Sequence, residues 1–179
     1  MKSKNIAYIA ILSAIALVVI LAVHYLIPAK TVPLAIVSAI GLIVFYLIGW
    51  KGGLAFVVVV EILTFVLTGL SITFFALSVL FIPYIIYAYA IRKISYVKSK
   101  GSALGRTGIS LAFFYITSLL LMLLSQFTVG NSSALYEMQE KAGIYLTALL
   151  FAIIALPADF FISQIAIIVV ERLKKNLKK

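Results

Sequence analysis

Six long apolar runs, at about 6–27, 33–49, 53–70, 72–91, 107–125 and 143–171, dominate this chain and leave only short charged gaps between them. A helix rises about 1.5 Å per residue and a bilayer's hydrocarbon core is about 30 Å thick, so one crossing needs roughly 20 apolar residues. Lipid offers nothing to bond an unpaired backbone group, so only helices and closed barrels cross it. The alternating segments of a barrel strand are absent. Hydrophobic residues are 65% of the 179 and charged ones 11%, far from the roughly half and quarter of a soluble domain. The sequence therefore predicts an all-α, polytopic membrane protein. It is expected to be one domain over 1–179, a bundle of six transmembrane helices, multi-pass in the cell membrane, with N- and C-termini cytoplasmic.

The direction comes from lysine and arginine. With the N-terminus inside, the inner segments hold Lys2 and Lys4, then Lys51, then Arg92, Lys93, Lys98, Lys100 and Arg106, and finally Arg172, Lys174, Lys175, Lys178 and Lys179. Only Lys30 and Lys141 of the 15 basic residues fall outside. Five or seven crossings scatter that asymmetry. The N-terminal run is too long for a typical signal core and has no clear small-x-small cleavage site, so it reads as a retained first crossing. The net charge of +10 fits attraction to an anionic inner leaflet, and no aromatic-interleaved basic surface suggests nucleic acid. Trp50, Tyr84, Tyr87, Tyr89 and Tyr96 read as an inner aromatic belt.

The chain has no cysteine and a single histidine, which excludes disulfides, thiolate chemistry and a multi-histidine metal site. No catalytic motif or phosphate loop stands out, so neither an enzyme nor a cofactor is expected. Ionisable groups inside apolar spans cost about 2.5–3.5 kcal/mol each on insertion scales and invite a functional reading. There are three: His24, Glu61 and Asp159. Glu61 shares a helical stripe with Thr64 and Thr68 at spacings of three and four. Asp159 follows Pro157, which frees the carbonyl four residues earlier. Ser71 and Phe75 sit at the outer end of the fourth helix, and Gln126 and Tyr136 on or near the longest outer loop, 126–141. An apolar wall with a few such polar contacts suits a small organic ligand entering from outside. Each also has a structural reading: Glu61 and Asp159 bonded across helix interfaces, His24 as an interfacial residue.

Ala10-x-x-x-Ala14, in IAYIAILSAIALVV, is a small-residue face that lets another helix approach closely. It follows a short basic tip, and the chain ends in ALPADFFISQIAIIVVERLKK. This layout resembles the substrate-binding S component of energy-coupling factor (ECF) transporters, six-helix proteins of similar size with both termini inside. The resemblance implies that Ala10 and Ala14 contact a transmembrane T subunit coupled to two ATPase subunits. It also implies a vitamin or precursor held in the outer half, under a lid from 28–32, 69–72 and 126–142, and released inward by toppling of the subunit. ATP hydrolysis would then reside in partner chains. No ligand signature of the biotin, thiamine, riboflavin or cobalt/nickel members is present, and the N-terminal histidine segment of the nickel and cobalt subgroup is missing.

Two other readings stay open. A structural or scaffolding membrane protein of the rod-shape-determining MreD type has a similar size and number of crossings. A small intramembrane enzyme or proton-coupled carrier would use Glu61 and Asp159. A capture subunit is expected to show an outer-half cavity walled by Glu61, Thr64 or Thr68, whereas a scaffold is expected to be packed solid there.

Overall fold

Helices form wherever the apolar runs predict them, and no strand occurs among the described residues. The structure, a computed structural model, describes residues 3–26, 31–97, 103–125 and 133–177. The protein is an all-α bundle of six helices. These are α1 (Ser3–Leu26), α2 (Thr31–Ile48), α3 (Trp50–Thr68), α4 (72–97), α5 (Ala103–Ser125) and α6 (Ser133–Leu177). Five of them carry stretches long and apolar enough to span a bilayer, and α2 contributes a shorter apolar stretch, Leu34–Ile48.

Helix α2 touches α1, α3, α4 and α6, so it is the central post of the bundle rather than a lipid-facing stave. Leu34, Val37, Leu42, Val44 and Phe45 are all essentially inaccessible. A helix apolar on every side is expected to be largely buried, and of the large hydrophobic side chains of α2 only Ile36 is strongly exposed among the described residues. The outer helices show the complement: Ile11, Ile15 and Val18 of α1, Val58, Ile62 and Val66 of α3, and Ile153, Ile154 and Phe161 of α6 are exposed. In a membrane these side chains face lipid tails, which are as apolar as they are.

Two departures from a plain helix matter for the site. Helix α4 runs through Ile72–Ala76, a π-helical turn at Leu77–Phe81, and Ile82–Val97. A π turn inserts one residue into the helical register, and such insertions cluster at functional sites. Helix α6 breaks at Gly143, whose φ of 76° and ψ of 156° lie outside helical space, in a region essentially confined to glycine. The expected outer loop at 126–141 is therefore helical from Ser133 onward. Both α6 and α4 outrun their hydropathy limits, because helices continue past the apolar run when caps and solvent satisfy their ends.

The aromatic belt is only partly a belt. Trp50 stacks on Tyr89 with ring centroids 5.9 Å apart, and Phe45 and Tyr46 pack against Tyr89 at 5.0 and 5.6 Å. Tyr87 instead stacks flat on Phe113 at 4.3 Å and shares a 2.8 Å hydrogen bond with Ser110. Tyr84 is 3% exposed, a core residue and not an interfacial one. The side chain of Tyr96 lies outside the described residues.

Candidate functional site

Tyr84 leaves the belt because it lies too deep. Eight residues separate it from Arg92, about 12 Å along a helix axis at 1.5 Å per residue, which places its ring well inside the hydrocarbon region. A phenol there needs a partner, and α6 supplies one. The Tyr84 hydroxyl donates to Oδ1 of Asp159 at 2.7 Å. Ser163, one turn further along α6, donates to the same oxygen at 3.2 Å. One acid and two hydroxyls thus tie α4 to α6, with the Tyr84 ring stacked on Phe114 of α5 at 5.7 Å.

Beside this cluster lies a cavity of about 250 Å³. Phe81 and Tyr84 from α4, Phe114 from α5 and Phe151 from α6 supply aromatic surface, and Leu80, Ala155 and Ile162 add aliphatic surface. The polar side chains on its wall are Asp159, Tyr84 and Ser118. No lysine, arginine or histidine lines it among the described residues. Ile154 and Ala158, also on the wall, are exposed, so the cavity opens at the bundle surface on the α6 side. The π turn at Leu77–Phe81 delivers both Leu80 and Phe81 to it.

The other sequence-derived candidates do not converge on this cavity. Glu61 lines a separate shallow recess with Val58, Ile62, Phe65 and Phe74. The two recesses share no lining residue. The polar stripe proposed for α3 is spent on its own helix: Thr64 donates to the Val60 carbonyl at 2.7 Å and Thr68 to the Thr64 carbonyl at 2.9 Å. Threonine hydroxyls commonly back-bond in this way inside helices. Ser71 caps α4, its Oγ accepting from the Phe74 amide at 3.2 Å, an N-cap role that serine favours.

His24 lies 3.2 Å from the buried Thr73 hydroxyl through Nδ1 and meets the Tyr25 ring edge-on at 4.6 Å. That contact joins the C-terminal end of α1 to the N-terminal end of α4. Phe75 packs its ring near Phe74, and ring contacts continue to Phe65 of α3. Gln126 lies outside the described residues, as does the side chain of Tyr136. Asp159 is therefore the one candidate binding residue of the sequence among the described residues that line the aromatic-walled cavity, and its partners Tyr84 and Ser163 carry no sequence signal of their own. The depth of Tyr84 below Arg92 is the clue that separates it from a belt residue.

At the N-terminal half of α1, Ile9, Ser13 and Ala16 point into the bundle while Ala7, Ala10 and Ala14 are exposed. The small-residue face of α1 is thus on the outside of this chain. No metal-binding cluster of His, Asp and Glu occurs among the described residues. Comparison with protein-family models, with curated proteins and with solved structures gave no match.

Proposed function

We propose that this six-helix membrane protein is the substrate-capture (S) subunit of an ECF-type uptake transporter in the cell membrane, and that the cavity beside Asp159 holds its small-molecule substrate. The cavity is the observation that carries the reading. Protein interiors are close-packed, and a structural scaffold of the MreD type has no use for an opening of about 250 Å³ walled by aromatic rings and a carboxyl. Apolar walls with a few fixed polar groups are the ordinary composition of a small-molecule site. The reading rests on the cavity beside Asp159 and Tyr84, while Glu61 lines a recess of its own.

Two further features support the capture role. Ala10 and Ala14 leave an uncovered small-residue surface on α1, the kind of face on which a second transmembrane helix packs closely. The sequence carries no phosphate loop, which agrees with ATP hydrolysis in two partner ATPases coupled through a T subunit. The carrier reading that pairs Glu61 with Asp159 loses its geometric basis, since the two carboxyls belong to different recesses.

Affinity purification from the native host tests the assignment. Wild-type protein is expected to retain a transmembrane T subunit and two ATPases. Ala10→Leu/Ala14→Leu is expected to lose them while keeping its thermal stability and its bound small molecule. Normal assembly of the double variant, or the absence of any such partners from the wild type, contradicts the assignment.

A further inference from the structure

We infer that the Asp159 cavity selects a small organic cation with an apolar body, such as a protonated aromatic or alkyl amine; this deepens the capture reading above and rests on it. The first ground is an unused acceptor. Tyr84 and Ser163 both donate to Oδ1 of Asp159, and Oδ2 takes no hydrogen bond from any described residue. A carboxyl held among apolar groups ordinarily meets a basic side chain or further donors. Among the described residues no basic side chain lines the space in front of it, and a ligand can supply the positive N–H.

The second ground is the aromatic wall. Phe81, Tyr84, Phe114 and Phe151 surround the same space, and the faces of such rings attract cations through their quadrupoles. Carboxyl and rings favour the same sign of charge. An anionic ligand meets the opposite situation: it faces the Asp159 oxygen and finds no guanidinium or ammonium. A sugar-like ligand leaves most of its hydroxyls opposite Leu80, Ala155 and Ile162, and unmatched polar groups in such a site are costly.

The third ground is size. About 250 Å³ lies just below the roughly 300–1,000 Å³ range of drug-sized ligand sites, room for one ring and a short chain. The mouth at Ile154 and Ala158 opens on the exposed apolar flank of α6, beside Ile153 and Phe161. An apolar body is compatible with that entrance.

The test is a charge series at fixed shape on the full-length protein in lipid nanodiscs. Phenethylamine, 2-phenylethanol and phenylacetate are titrated by calorimetry against wild type, Asp159→Asn and Tyr84→Phe. The expected result is that phenethylamine binds wild type about tenfold or more tightly than 2-phenylethanol, the scale of one charge-assisted hydrogen bond. Phenylacetate is expected not to bind. In Asp159→Asn the amine is expected to lose its advantage while the alcohol is unchanged. An amine that binds no better than the alcohol to wild type, or whose advantage survives in Asp159→Asn, overturns the inference. The wild-type series alone decides it should Asp159→Asn fail to fold. Failure here leaves the capture reading standing if mass spectrometry finds a neutral or anionic molecule in the purified protein. Failure of the capture reading shows instead as missing transporter partners, with the charge preference intact.

Discussion

The phenol of Tyr84 and the carboxyl of Asp159, 75 positions apart in the chain, meet at 2.7 Å across the interface of α4 and α6. Each group is costly in a membrane interior by itself, and each supplies what the other lacks. Tyr84→Phe leaves Asp159 with Ser163 alone and is predicted to destabilise the bundle by about 1–2 kcal/mol, between the average for hydrogen bonds in membranes and the cost of an unmatched buried acceptor. Tyr84→Phe/Asp159→Leu removes both polar partners and is predicted to be closer to wild type than Tyr84→Phe. Chemical unfolding in mixed micelles measures both, and a double variant less stable than the single one contradicts the account.

Hydropathy identified Asp159 and could not identify Tyr84. A carboxyl inside an apolar run stands out against its neighbours, whereas a tyrosine near a helix end matches the common interfacial pattern. The pairing depends on how α4 and α6 are rotated against each other, and the π turn at Leu77–Phe81 adjusts that rotation without leaving a mark in the sequence. The α3 stripe shows the opposite limit. The spacing of Glu61 to Thr64 and Thr68 is helical, as read, but both hydroxyls bond carbonyls of their own helix. The six helices were legible because lipid imposes a length and hydropathy rule on every crossing; the cavity was not, because it arises from four helices meeting.

A close approach between α2 and α3 fixes the inner end of the bundle. A Cβ placed on Gly53 lies 2.4 Å from the Phe45 ring, and that ring is held between Trp50 and Tyr89 at 5.6 and 5.0 Å. Gly53→Ala is therefore predicted to cost about 1–3 kcal/mol by overpacking. Gly108 of α5 is helical with open space at its Cβ, so Gly108→Ala is predicted to be neutral or to stabilise by up to about 1 kcal/mol. The two alanines, compared by unfolding in the same micelles, separate packing from helix propensity.

The break in α6 depends on a single residue. Gly143 takes a backbone conformation that other residues reach only at a cost of about 1–3 kcal/mol, and nothing crowds its Cβ. Gly143→Ala is predicted to destabilise through the backbone alone, with Gly143→Val no milder. An unchanged unfolding midpoint for both variants contradicts the kink.

The absence of cysteine makes the orientation directly testable. Leu70→Cys, in the turn between α3 and α4, is predicted to react in intact cells with a membrane-impermeant maleimide. Ser99→Cys, in the basic segment after α4, is predicted to react only after permeabilisation. The reverse pattern inverts the topology and contradicts the orientation read from the basic residues.

The most direct measurement of whether the Asp159 cavity is a ligand site is native mass spectrometry of gently purified wild type beside Ala155→Phe, which places a ring inside the cavity that Ala155 lines. Wild type is predicted to carry one small molecule per chain, lost in the Ala155→Phe protein at unchanged mass of the polypeptide apart from the substitution. A wild type that carries no such molecule, or an Ala155→Phe protein that retains it, contradicts the assignment of this cavity as the substrate site.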